Sequence, residues 1–125
     1  MNRRLAAQCG AALAALGVAL GAFAAHGLKG RLDGQLLEIF HTGVQYHLLH
    51  ALGLLLVAAL WDLGREGWMR AAALTLCAGI LFFSGSLYAL AVTGLGFLGM
   101  VTPLGGLAFI AGWVLLAAGL GHDRR

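Results

Sequence analysis

The sequence predicts an all-α fold, a four-transmembrane-helix bundle, and three observations predict it. Of the 125 residues, 61% are hydrophobic and only 10% are charged, with a mean hydropathy of +0.89. A soluble domain of this size could not cover its surface with so few polar groups. Next, a span takes about 20 mostly apolar residues, and the apolar stretches at 5–25, 42–61, 71–93 and 104–120 leave only short connections between them. Finally, 20 glycines stand against a single proline, which suits helices whose backbones touch in lipid, where no hydrophobic drive brings them together. The chain from 1 to 125 reads as a single integral membrane domain.

The net charge of +3 and pI of about 9.4 do not point to nucleic acid. No run of Lys or Arg is longer than two, and the charges flank apolar segments, as topology signals do. Cys9 and Cys77 each sit inside an apolar segment without CxxC spacing, so both read as reduced, small packing residues.

The first span follows Arg3 and Arg4 and ends in AFAAHG, which resembles a signal-peptide cleavage site. Its apolar stretch is longer than a signal core of about 7 to 15 residues, and Gly10, Gly17, Gly21 and Ala25 form a small-residue stripe. It therefore reads as a retained helix. The linker GLKGRLDGQLLEIF follows, with Leu32, Leu36, Leu37 and Phe40 at helical spacing, as an interfacial amphipathic turn or an early extension of the second helix. After the second span comes the charged connection DLGREGWMR, and Trp61 at the end of that span and Trp68 within the connection are expected as aromatic anchors at one membrane interface. The third span carries LFFSGSLYAL, in which Ser84 and Tyr88 share a face. Thr102 is expected to cap the fourth helix, with Pro103 at its first position. Gly105, Gly112 and Gly119, at intervals of seven, mark a close-packing seam there, and Trp113 reads as a packing residue.

With four spans, Arg3, Arg4, Arg65, Arg70, Arg124 and Arg125 fall on one side and only Lys29 and Arg31 on the other. The positive-inside rule then places both termini in the cytoplasm, N-in/C-in.

Chemistry concentrates in HTGVQYHLLHALGLL at 41–55. At 100° per residue, Gly43, Tyr46, His47 and His50 occupy roughly a third of the helix circumference. Imidazoles and a phenol facing lipid are costly, so this face is expected to point into the bundle, as a site or as interhelical hydrogen-bond partners. Counting from 42 puts His50 about 12 Å below the outer face. With His26, Ser84, Tyr88 and Thr102 it makes the outer half of the bundle polar and leaves the inner half almost wholly Leu, Ala, Val and Gly.

Three chemistries can be weighed against this pattern. His26, His47 and His50 could supply three metal ligands, but no recognised ligand spacing exists and no acidic residue within the spans could orient them. Ser84 or Ser86 with His50 is the conceivable nucleophile and base pair, yet FSGSL lacks the G-x-S-x-G order. A transporter usually shows mid-membrane charges, a broken helix or an inverted repeat, and the sequence contains no convincing internal repeat, which argues against a monomeric transporter. No catalytic residue, cofactor or metal is therefore assigned.

GAFAAHGL at 21–28, TGVQYHLLHALGLL at 42–55, FSGSLYAL at 83–90 and TPLGGLAFIAGW at 102–113 together resemble the small membrane proteins of the domain of unknown function 423 family, YgdD-like. The resemblance covers most of the chain in the same order, and the combination of four motifs is specific. It implies a bacterial inner-membrane protein of four spans, with relatives in eukaryotes and no established biochemical activity. The family pattern lands on Gly21, His26, Thr42, Tyr46, His50, Ser84, Gly85, Ser86, Tyr88, Thr102, Pro103, Gly105, Gly106, Gly112 and Trp113. Ala24 departs from it, and His41 and His47 stand where the pattern does not fix histidine, which favours a network of His26, Tyr46, His50, Ser84 and Tyr88.

The expectation is thus a non-enzymatic plasma-membrane protein with an outer-half pocket for a small ligand or lipid. The pocket residues are His26, Thr42, Tyr46, His50, Ser84, Ser86, Tyr88 and Thr102, and the packing glycines are Gly17, Gly21, Gly85, Gly105, Gly106 and Gly112. The alternative is an accessory, assembly or structural subunit, associating with itself or another membrane protein through its glycine seams. Membrane lipids are the expected partners in either case, and nucleic acid is not.

Overall fold

The computed structural model describes residues 1–122, so Arg124 and Arg125, which entered the charge count, lie outside the described residues. Helix α1 (Arg3–Phe23) starts where the Asn2 side chain accepts a hydrogen bond from the Leu5 N–H at 2.9 Å, satisfying one of the orphan donors of a helix start. It widens into a π turn, Ala24–Leu28, and the chain reverses through Gly30 in the left-handed region. Helix α2 (Gly34–Ala59) starts in the same manner, with Asp33 accepting from the Leu36 N–H at 2.8 Å. The QLLEIF segment is therefore the first part of α2, which begins eight residues before the apolar stretch at 42.

The third span is interrupted. Helix α3 (Glu66–Gly79) passes through a π turn, Ile80–Ser84, into α4 (Gly85–Thr93), and ends at Gly94 in the left-handed conformation that stops helices without a Cβ penalty. A short 3-10 turn, Gly96–Met100, leads to α5 (Thr102–Gly121), with Pro103 in its first turn. Thr102 does not cap this helix, because it is already helical and its hydroxyl turns across to Ser86. Among the described residues, four helical segments are long and apolar enough to cross a membrane: Arg3–Leu28, Gly34–Ala59, Glu66–Thr93 and Gly96–Gly121.

Helix α2 is central, with α1 along one side and the third span along the other, while α5 packs on α3 and on the π turn. Among the described residues, the N-terminal residues and His122 lie at the same end of the bundle. Arg3 donates from Nε to the Ala58 carbonyl at 3.1 Å and pairs with Asp62, Arg70 donates to the Met1 carbonyl at 2.9 Å, and the Trp68 ring stacks on His122. The Arg3 contact reaches a carbonyl in the last turn of α2, the end of a helix at which a cation is favoured. Trp61 is not an interfacial anchor as expected: it is 6% exposed and belongs to a core cluster with Leu54, Val57 and Met69. The 3-10 turn at Trp61–Leu63 folds it back under the helices.

Glycine makes the close approaches. A Cβ at Gly105 would strike the Phe83 backbone, one at Gly112 would lie 2.6 Å from Leu76, and one at Gly119 would lie 2.7 Å from Trp68. The heptad-spaced seam of α5 is thus consumed inside the bundle against the third span. Gly10, Gly17 and Gly21 do the same for α1 against α2. Outward faces carry Val18, Leu49, Leu52, Leu107, Ile110 and Val114, all exposed, as a lipid-facing surface requires.

Candidate functional site

His47 lies in the middle of α2, thirteen residues after Gly34 and twelve before Ala59, and only 2% of it is exposed. Its Nε2 is 2.7 Å from the Leu13 carbonyl oxygen of α1, and its Nδ1 is 2.8 Å from the Tyr88 hydroxyl of α4. A carbonyl only accepts, so Nε2 carries the hydrogen. In a neutral ring Nδ1 is then the acceptor, and the Tyr88 O–H donates to it. One imidazole thus joins three helices. The ring reaches a mid-helix carbonyl because Gly17, one turn beyond Leu13, has no side chain: a Cβ there would sit 3.2 Å from the His47 ring and 2.6 Å from Leu48.

Two further links continue across the bundle. Ser84, fully buried in the π turn, donates to the Gly43 carbonyl of α2 at 2.8 Å. The turn is closed by the Gly85 N–H bonding to the Ile80 carbonyl, a five-residue step. Ser86 donates to the Phe83 carbonyl at 2.8 Å, which leaves the Thr102 hydroxyl of α5 as the donor in the 2.6 Å Ser86–Thr102 contact. The Leu13, His47, Tyr88 set, the Ser84–Gly43 pair and the Ser86–Thr102 pair therefore connect all four spans.

The other expected residues sit differently. His50 is buried but donates from Nδ1 to the Tyr46 carbonyl of its own helix at 2.7 Å, and its ring stacks on Phe109 with centroids 3.5 Å apart. It fills an aromatic layer with Trp113, whose ring centroid is 5.8 Å away. Tyr46 is 42% exposed and lays its ring on Phe83. The Thr42 hydroxyl bonds back to the Glu38 carbonyl at 3.1 Å, as threonine in a helix often does. His26 is exposed in the π turn ending α1 and makes no side-chain hydrogen bond among the described residues. The expected network of His26, Tyr46, His50, Ser84 and Tyr88 is thus replaced by one centred on His47. Because α2 starts early, His47 lies mid-helix and not in an outer half. The three histidines do not converge, and among the described residues no three His, Cys, Asp or Glu side chains stand together. Neither serine bonds a histidine.

The glycines also divide. Gly17, Gly21, Gly105 and Gly112 make tight contacts, and Gly106 an ordinary one with Phe83. Gly85 packs against nothing: a Cβ there meets no atom within 4 Å. It opens instead onto a groove of about 370 Å³ between α1 and the third span. Leu13, Leu16 and Leu20 form one wall, Cys77, Ile80 and Leu81 the other, and His47 and Tyr88 form the floor. Exposed Leu16 and Leu81 flank the groove, so it opens sideways into lipid. Sequence reasoning missed the Leu13 and Gly43 carbonyls, which no residue type signals, and Phe109, whose stacking partner is set only by tertiary packing. Gly17 beside a mid-span histidine is the one signal that could have found the α1 link.

No solved structure matches the chain at a significant level. Among curated proteins, it is 53% identical over 108 residues to the UPF0382 membrane protein YwdK of Bacillus subtilis (strain 168), covering 86% of this chain and 88% of that one. It is 44% identical over 102 residues to a UPF0382 membrane protein of Haemophilus influenzae, covering 82% of each. It is 38% identical over 102 residues to the UPF0382 inner membrane protein YgdD of Escherichia coli (strain K12), covering 82% of this chain and 78% of that one. The family described as Protein of unknown function (DUF423) matches residues 20–106. With four apolar spans, these relatives and that match, the chain belongs to the DUF423 family of multi-pass bacterial inner-membrane proteins.

Proposed function

We propose that this is a non-enzymatic membrane protein that holds one lipid acyl chain in the lateral groove between α1 and the third span. The observation that carries the reading is the character of the groove. At about 370 Å³ it is of ligand-pocket size, its walls are aliphatic, and its floor hydrogen bonds are already made between His47, Tyr88 and Leu13. A polar ligand would find no unpaired imidazole or phenol there, whereas an apolar chain costs nothing to accept. Lipid tails are the apolar chains present at the opening. The same closure of hydrogen bonds leaves His47 no activated nucleophile to serve, since Ser84 and Ser86 spend their hydroxyls on carbonyls.

Gly85→Leu tests this, because its Cβ enters open space and its side chain would fill the groove without disturbing a packed neighbour. In vesicles containing a lipid with a photoreactive acyl chain, adducts should concentrate on peptides bearing Leu16, Leu20 and Leu81 and fall several-fold in Gly85→Leu. Labelling spread evenly around the bundle, or unchanged in the variant, would overturn the reading.

A second reading, in which the polar set serves only to lock the bundle, is favoured by one observation. His47, Ser84 and Thr102 each reach across to a different helix. Under that reading, His47→Ala lowers stability while groove labelling of the remaining folded protein keeps its pattern.

A further inference from the structure

At the end that holds the termini, a second groove of about 490 Å³ runs between α1 and α2, walled by Ala7, Leu55, Ala58 and Ala59 and headed by Arg3 and Arg4. The two arginines are not equivalent. Arg3 is engaged, its Nε on the Ala58 carbonyl and its guanidinium on Asp62. Arg4 is exposed and makes no hydrogen bond or ion pair among the described residues, so all its guanidinium donors are available. Cation and apolar trough are continuous, because Ala7 lies one turn beyond Arg3 and Arg4 on α1. Alanines on both helices, Ala7 on α1 with Ala58 and Ala59 on α2, leave the trough open for a chain lying along it.

We propose that this groove binds an anionic glycerophospholipid, with the phosphate on Arg4 and one acyl chain along Ala7, Ala59 and Leu55. A guanidinium presents paired N–H donors that match a phosphate bidentately. Its position at the first turn of a span sets it at headgroup depth, where basic pockets between transmembrane helices take anionic lipids. Asp62 does not oppose the anion at Arg4, since its carboxylate is paired with Arg3. Charge and shape select the same molecule: a free anion would leave the trough empty, and a neutral tail would leave Arg4 unpaired. The site lies on the α1–α2 side at the bundle end and shares no residue with the groove floored by His47.

Native mass spectrometry of the full chain in detergent tests it, with phosphatidylglycerol and phosphatidylcholine of identical acyl chains titrated separately. Phosphatidylglycerol should bind about tenfold more tightly at one saturable site, and Arg4→Gln should lower its affinity about fivefold, with Arg4→Lys in between. Ala59→Leu, at an exposed position, should weaken both lipids while leaving the preference for phosphatidylglycerol. Arg65→Gln removes a charge at the same end but outside this groove and should change nothing. Equal affinity for the two lipids, an unchanged preference in Arg4→Gln, or an equal loss in Arg65→Gln would overturn the site. Displacement of phosphatidylglycerol by millimolar inorganic phosphate would overturn the acyl-chain part, because phosphate alone would then suffice.

Discussion

His47 shows how one side chain can hold three helices in lipid. Interhelical hydrogen bonds in membranes contribute about 0.6 kcal/mol on average and up to about 1.7, so the two bonds of His47 are modest singly and significant together. Tyr88→Phe removes one of them and should cost about 1 kcal/mol in reversible unfolding from mixed micelles. His47→Ala removes both and leaves a void, and should cost about 2 to 4 kcal/mol. The double variant should cost clearly less than the sum of the two, because the substitutions delete the same bond. Strict additivity would mean that the His47–Tyr88 contact contributes nothing. His26→Ala, at an exposed side chain outside the cluster, should stay within about 0.5 kcal/mol of the parent in the same measurement.

At the scale of elements, the π turn and the glycine of α5 form one device. The extra residue in Ile80–Ser84 carries Ser84 toward the Gly43 carbonyl, and α5 lies so close to Phe83 that only a glycine fits at 105. Such turns are rare and concentrate at functional places in helices. Gly105→Ala puts a methyl into backbone that cannot move without separating α5 from the third span, and should cost more than about 2 kcal/mol. Gly106→Ala, whose methyl would stand 3.8 Å from the Phe83 ring, should cost less than about 0.5 kcal/mol. Thermal unfolding of the two variants side by side checks this pair, and similar losses would mean that the seam tolerates a methyl anywhere. Adjacent glycines in the sequence look alike, and the difference arises because one faces the π turn and the other its margin.

For the whole molecule, we propose that both termini are cytoplasmic. The end holding the termini carries Arg3, Arg4, Arg65 and Arg70 against Asp62 and Glu66, while the other carries Lys29 and Arg31 against Asp33 and Glu38. Basic residues in short connections set orientation, and acidic ones contribute little. A fluorescent protein fused after Arg125 should fluoresce in cells and alkaline phosphatase fused there should be inactive; the opposite pair of results would invert the bundle. The four spans themselves were legible in the sequence, because backbone left without partners in lipid must become helix wherever about 20 apolar residues run together. Short charged or glycine-bearing connections then force neighbouring spans antiparallel, which brings the termini together.

The polar site was legible only in part. Tyr88, Ser84 and Ser86 announce themselves, since polar groups within spans must find partners. The family pattern favours His26 and His50 over His47, because residue type and pattern cannot tell which face of α2 meets α1. That choice rests on Gly17 opening the Leu13 carbonyl and on Gly43 admitting the Tyr88 ring. The acceptors are main-chain carbonyls, which every residue carries, so their selection is decided by helix rotation and approach. Sequence by itself determined the helices, their number and their membrane setting, because these follow from the transfer of each segment into lipid. Tertiary structure alone decided the partners of His47, the emptiness beside Gly85 and the isolation of His26, because these depend on how four helices, each acceptable to the membrane alone, are turned toward one another.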